Sequence, residues 1–174
     1  MTNEMLKNLG RFILLVLLQV LVLNNIQIRA FLVPHLYVLF ILLLPFETPR
    51  WLLLLSAFFL GLFVDLFSYT IGLHAAACTL IAFIRPLVVR VIASRQTYEP
   101  GMKPGISGLG FRWFLNYTAL MVIVHHLFLY MMEEFRFSGI LDTLWKTLLN
   151  TVITVVVITL TQLLVSSTSA RSSS

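Results

Sequence analysis

The chain has 174 residues, of which 59% are hydrophobic and 11% charged, and its mean hydropathy is +0.96. A water-soluble domain is closer to half apolar and a quarter charged, so a core of this size cannot bury so much apolar surface and lipid must be the solvent. The apolar runs are long and continuous, which excludes a membrane barrel built from alternating segments of about ten residues. The net charge of +5 comes from Lys and Arg residues beside these runs, where they serve as topology signals rather than as a nucleic-acid surface.

The N-terminal segment resembles a signal peptide, because Lys7 and Arg11 precede the apolar run FILLVLLQVLVL. No small-x-small cleavage site follows this run, so we expect a retained first span over residues 9–28. Seventeen uncharged residues then lie between two charged ones and predict a short second span over residues 30–46.

The central stretch from residue 51 to residue 90 is apolar, and Asp65 is its only charged residue before Arg85. A membrane helix needs roughly 20 apolar residues, so the stretch is too long for one crossing and about right for two. The only turn chemistry lies at Ser68 to Gly72, in the letters SYTIG. The sequence therefore predicts a hairpin of two spans, 51–67 and 73–91.

The second half of the chain begins with a polar loop, residues 94–110. Its two Pro-Gly pairs and four glycines predict that no helix forms there. Further spans are predicted over residues 113–132 and 143–165, and the polar tail 166–174 is predicted to be disordered. The expected fold class is an all-α polytopic membrane protein, with residues 1–165 forming a single bundle of six transmembrane helices.

The distribution of basic residues predicts the orientation of this bundle. With the N-terminus inside, nine Lys and Arg residues fall on the cytoplasmic side and three on the other side. This positive-inside bias places both termini and the 94–110 loop in the cytoplasm, and the turn between Asp65 and His74 outside.

Small and polar residues in the hairpin fall on helix faces that can meet. Gly61, Asp65 and Ser68 lie three or four positions apart, which makes a small-residue seam ending in a carboxylate. His74 and Arg85 lie on one face of the following span. Asp65 is either a group that handles a proton or substrate, or a local cap for the turn. Arg85 is expected to extend toward the lipid headgroups.

Catalytic and metal chemistry finds little support in the sequence. Ser68, His74 and Asp65 are the residue types of a nucleophilic triad, but no G-x-S-x-G elbow surrounds the serine. His126 and Glu133 share a helix face and are interpreted as a polar cluster at the outer end of the fifth span. The single cysteine, Cys78, excludes an internal disulfide. The sequence predicts no enzyme activity, no cofactor and no metal site.

The last predicted span carries a stripe of polar side chains within about a third of the helix circumference. We expect this stripe to pack inward and to bond neighbouring helices, although it could also line a pathway. Its members are Thr147, Asn150, Thr151, Thr154, Thr161 and Gln162.

The hairpin segment GLFVDLFSYTIGLHAAACTLIAFIRP resembles the signature region of the rod shape-determining protein MreD family, of the type found in Bacteroidetes. The resemblance rests on a G-x-x-x-D pattern, a short turn and a G-x-H-A pattern, and on chain length, six spans and a basic N-terminus. The matching residues are Gly61, Asp65, Gly72, His74 and Ala75.

This resemblance implies a non-enzymatic scaffold of the bacterial elongation machinery in the cytoplasmic membrane. Proteins of this family associate with MreC and link the filament protein MreB to the polymerase RodA and its transpeptidase during peptidoglycan synthesis and rod-shape maintenance. The 94–110 loop is the segment expected to reach MreB. The family's bundle is also similar to the substrate-binding subunits of energy-coupling-factor vitamin transporters, so a small transporter subunit is the alternative.

Overall fold

The architecture is that of a computed structural model, which describes residues 2–26, 32–92, 102, 104–134 and 139–171. Over these residues the chain is helical or irregular, without β-strands. The helices in chain order are α1 (Thr2–Leu18), α2 (Val38–Leu43), α3 (Arg50–Ser68), α4 (Leu73–Ile92), α5 (Ile106–Leu109), α6 (Phe111–Glu134) and α7 (Ile140–Arg171).

Five helical segments in the described part of the chain are long and apolar enough to cross a membrane. The first combines α1 with a π-helical turn, Gln19–Leu23, and the others belong to α3, α4, α6 and α7. The all-helical class is therefore confirmed. The segments are Leu6–Leu23, Arg50–Ser68, Leu73–Ile92, Phe111–Glu134 and Ile140–Ser166.

The predicted hairpin between α3 and α4 is confirmed. Helix α3 ends at Ser68, because Tyr69 adopts the left-handed conformation (φ 55°) and directs its N–H to the Asp65 carbonyl. Gly72 has φ +73°, a conformation that glycine adopts without steric penalty, and α4 begins at the next residue. The two helices pack antiparallel over the small-residue seam, in which Gly61 is buried.

The predicted second span, 30–46, is not one continuous helix, and residues 30 and 31 lie outside the described ranges. Of residues 32–46 only Val38–Leu43 are α-helical. The reason is the pair of prolines that bracket α2. A residue before proline is driven to extended geometry, and Leu44, which precedes Pro45, has ψ 139°. Pro34 acts at the other end, where residues 32–35 are irregular.

This broken segment, residues 32–46, nevertheless runs the depth of the bundle, antiparallel to α6. The His35 ring lies 4.8 Å from the ring of His126, while Phe46, eleven residues later, lies 6.1 Å from Trp113 near the start of α6. Residues 34–42 are buried. The segment is therefore enclosed by helices, which is the condition under which irregular backbone is tolerated at membrane depth.

Two predictions about less regular regions were wrong. A single helical turn, α5, forms inside the 94–110 loop, because Ile106 and Leu109 pack partly buried against the core and Gly110, with φ +84°, ends the turn. Residues 93–101 and 103 of that region lie outside the described ranges. The tail predicted to be disordered is instead helical through Arg171, since α7 simply continues. Residues 172–174 are likewise not described.

Replacing Gly61 by alanine should weaken the hairpin. A Cβ atom there would lie 2.5 Å from both the Cα and the N of Ala75, and since these are backbone atoms the helices would have to separate. We expect a loss of about 1–3 kcal/mol, typical of overpacking, and a lower thermal unfolding midpoint in detergent. The matched control is Gly10→Ala in α1, where no atom lies within 4 Å. Equal midpoints for both variants would contradict this packing.

Candidate functional site

The carboxylate of Asp65 joins the two helices of the hairpin. Its Oδ1 accepts from the His74 backbone N–H and from His74 Nδ1, each at 3.0 Å, and from the Thr70 hydroxyl. Its Oδ2 accepts from the Ala75 N–H at 2.9 Å. Asp65 is 2% exposed. It thus caps the first turn of α4 from across the loop, which is the local-cap alternative for this residue.

The residues of the G-x-x-x-D and G-x-H-A patterns converge on this cap. Gly61 lets the backbone of α4 approach, Gly72 makes the turn, and His74 supplies two of the donors to Asp65. Ser68 lies apart from them: its hydroxyl accepts from the Asn24 amide at 3.1 Å. The described contacts therefore do not assemble a triad from Ser68, His74 and Asp65.

Arg85 does not extend to the headgroups, so that expectation was wrong. It is 3% exposed and donates to the Tyr117 hydroxyl at 2.8 Å and to the Leu44 carbonyl. Its guanidinium also lies 5.7 Å from the centre of the Phe46 ring. Helix α2 ends at Leu43, so the Leu44 carbonyl has no helical partner and accepts instead from the Arg85 guanidinium inside the bundle.

Polar side chains of α7 and of the π-helical turn after α1 bond the backbone at the other end of the broken segment. Val33 N–H donates to Asn150 Oδ1 at 3.0 Å, and His35 N–H donates to Thr154 Oγ1 at 3.1 Å. The amide of Gln19, 0% exposed, donates to the Pro34 carbonyl at 3.1 Å. These residues supply hydrogen bonds that a continuous helix would have made for itself. Two members of the stripe predicted for the last span, Asn150 and Thr154, thereby face inward and bond a neighbouring segment.

All four histidines of the chain gather at one end of the bundle. The rings of His74, His125 and His126 have their centres 4.8 to 6.0 Å from that of His35. His126 Nε2 lies 3.0 Å from His35 Nδ1, and His126 Nδ1 lies 3.1 Å from the Thr151 hydroxyl. His125 Nε2 lies 3.1 Å from the Tyr37 hydroxyl. Side-chain hydrogen bonds thus hold His35, His125 and His126, although the buried Nδ1 of His125 has no hydrogen-bond partner among the described residues.

A polar cluster lies at the C-terminal end of α6, where the sequence predicted one. The His126 ring stacks on Tyr130 with centres 5.6 Å apart, and Lys146 Nζ lies 4.5 Å from the centre of the Tyr130 ring. Glu133 accepts from Lys146 at 2.9 Å. The cluster thus binds α6 to α7 at this end.

A polar cavity of about 520 Å³ opens at the same end, between the turn of the hairpin and the ends of α1, α6 and α7. Among the described residues, no hydrogen bond involves Nε2 of either His35 or His74, and both rings line the cavity. Because the Asp65 carboxylate accepts from His74 Nδ1, a neutral His74 ring offers its Nε2 lone pair to the cavity. The polar residues that line the cavity include Asn24, Ser68, His35, His74, Glu133 and Lys146.

The site offers hydrogen-bonding groups. Within the described residues, no group of three or more His, Cys, Asp or Glu side chains is placed to hold a metal ion. Cys78 Sγ lies 4.0 Å from His125 Nε2 and is buried. What the arrangement can do is bind a small polar molecule at the cavity, or hold the bundle rigid.

Sequence reasoning missed Gln19, His35 and Tyr37 as members of this site. The available signal was the spacing of Pro34 and Pro45, which leaves only a short helix between them and so requires partners for the freed backbone groups. A side chain that bonds these backbone groups inside the bundle is polar and lies within an apolar run. Gln19, within the run FILLVLLQVLVL, has both properties.

The fold and this site define an all-helical, multi-pass membrane protein. Comparisons of the chain with protein-family models, with curated proteins and with solved structures found no match.

Removing the Thr154 hydroxyl should destabilise the bundle. Thr154→Val keeps the shape of the side chain but leaves the buried N–H of His35 without its acceptor, at a cost of about 1–3 kcal/mol. Thr161→Val is the matched control in the same helix, because among the described residues the Thr161 hydroxyl bonds only the Val157 carbonyl of its own helix. Thermal unfolding in detergent should show a lower midpoint for Thr154→Val alone. Identical midpoints would contradict the role assigned to this hydroxyl.

Proposed function

We propose that the protein is an MreD-like membrane scaffold of the bacterial elongation machinery, involved in rod shape and peptidoglycan synthesis. The observation that carries the proposal is the convergence of Gly61, Asp65, Gly72 and His74 on one hairpin cap. Each of these residues sets backbone geometry, which suits a protein that presents helix faces to membrane partners. In this proposal the protein is not an enzyme.

The proposed topology has six crossings with both termini in the cytoplasm of a bacterial inner membrane. Support comes from the parallel arrangement of α1 and α3, whose C-terminal ends meet where Asn24 bonds Ser68. The chain between two parallel helices has to return through the bundle, and residues 32–46 do so beside α6. The broken segment, second in chain order, is then the crossing that brings the five apolar helical segments to six crossings.

The proposed partners are an MreC-like protein, a RodA-like polymerase with its transpeptidase, and MreB through the 94–110 loop. Large exposed side chains are available for lateral contacts on α3 and α7, where Phe59 is 47% and Trp145 59% exposed. Helices that associate in lipid do so by close packing of such faces.

A pull-down from membranes solubilised in mild detergent tests this proposal. We expect the protein to recover an MreC-like partner, and we expect depletion to round rod-shaped cells. Asp65→Asn should lower both membrane abundance and partner recovery, because an amide cannot accept from Ala75 N–H and the three donors at Oδ1 together. Asp142→Asn at an exposed site in the first turn of α7 is the control. Recovery of the protein alone, with normal shape after depletion, would contradict the proposal.

A second candidate is the substrate-binding subunit of a transporter, and the polar cavity favours it. Interrupted membrane helices beside a polar cavity are typical of transport sites. A panel of water-soluble vitamins should then contain a compound that raises the thermal unfolding midpoint, and His74→Ala should abolish that rise. A midpoint unaffected by every compound of the panel would count against this candidate.

A further inference from the structure

A second cavity, of about 300 Å³, lies at the opposite end of the hairpin from the Asp65 cap, in a groove between α3 and α4. Most of its walls are apolar, and Leu53, Leu54, Phe83 and Leu87 are among them. Phe83 is 73% and Leu87 59% exposed, so the groove opens sideways to the surroundings of the bundle. In a membrane those surroundings are acyl chains.

Pro86 of α4 forms part of the groove floor together with Ala82. Proline has no N–H, so the Ala82 carbonyl, four residues earlier, loses the hydrogen bond that a regular helix would give it. The small side chains of Ala82 and Pro86 leave the space that larger residues would fill. The groove is therefore a product of the helix sequence and not of a disordered loop.

Two arginines stand at the mouth of this apolar groove. Arg50 begins α3 and Arg90 lies in the last turn of α4, and both line the cavity and are exposed. Neither forms an ion pair with any residue that the structure describes. A pair of guanidinium groups above an apolar slot is complementary to a molecule with an anionic head and a hydrocarbon tail.

We propose that this groove binds an anionic phospholipid, with the phosphate held by Arg50 and Arg90 and an acyl chain lying along Phe83 and Leu87. Basic pockets between membrane helices at a headgroup level recognise anionic lipids in this way. The site is distinct from the polar cavity and does not depend on the scaffold function or on the transport alternative. Phosphatidylglycerol has the required chemistry, and zwitterionic phosphatidylcholine lacks the net charge.

Native mass spectrometry of the full chain, delipidated in a neutral detergent and titrated with each lipid, tests the site. The wild type should retain phosphatidylglycerol in preference to phosphatidylcholine. The double variant Arg50→Gln/Arg90→Gln should lose that preference roughly thirtyfold, since each basic residue near an anionic headgroup contributes about 1 kcal/mol of attraction and the two contributions add. The control Lys7→Gln/Arg112→Gln removes the same charge from residues that do not line the groove and should keep the preference.

A further variant, Leu87→Trp, separates the groove from general surface charge. The tryptophan side chain fills the groove and leaves both arginines in place. Because Leu87 is exposed, the substitution does not disturb the buried core. We expect it to weaken retention of phosphatidylglycerol as well. Equal losses in the two charge variants, equal retention of both lipids by the wild type, or unchanged retention after Leu87→Trp would each overturn the proposal. Thermal unfolding midpoints close to the wild type's establish that the variants are folded.

Discussion

The structure depends on how one stretch of non-helical backbone is satisfied inside the bundle. Residues 32–46 cannot make a full set of helical hydrogen bonds, because two prolines leave them a helix of six residues. Lipid offers no replacement partners, so the surrounding helices must supply them. Gln19, Arg85, Asn150 and Thr154 do this from three different helical segments. The placement of these polar residues is therefore a requirement of the fold.

The two ends of the α3–α4 hairpin are built for different tasks. At one end Asp65, Gly61 and His74 fix the distance and the angle between the helices through backbone contacts. At the other end Ala82 and Pro86 line a groove between the two helices, and the exposed side chains of Phe83 and Leu87 border it. A hairpin with a fixed helix spacing at one end and an exposed groove at the other suits the proposed lateral association with membrane partners. The polar cavity beside the capped end is the feature that supports the alternative function of ligand binding.

The hairpin could be predicted from the sequence because its determinants are local. The turn lies within seven residues of Asp65, and the length of the apolar stretch determines that it contains two helices. The broken segment was not predicted, because seventeen uncharged residues are long enough for a span whether or not they are helical, and the two prolines indicate only that the helix between them is short. Its partners lie far away in the chain, and Asn150 is 117 positions from Val33. The expectation that Arg85 reaches the headgroups failed for the same reason. Its partner, the Leu44 carbonyl, lies 41 residues earlier in the chain, and the local sequence around Arg85 does not indicate it.

The separation between the broken segment and α7 also bears on biogenesis. As the chain emerges, α1 and residues 32–46 are made long before Asn150 and Thr154 exist. Until α7 enters the membrane, the N–H groups of Val33 and His35 have only water or the protein-conducting channel as partners. We therefore expect residues 32–46 to remain at the membrane–water interface until α7 has inserted. The N-terminal part of the chain then completes its insertion after the C-terminal helix.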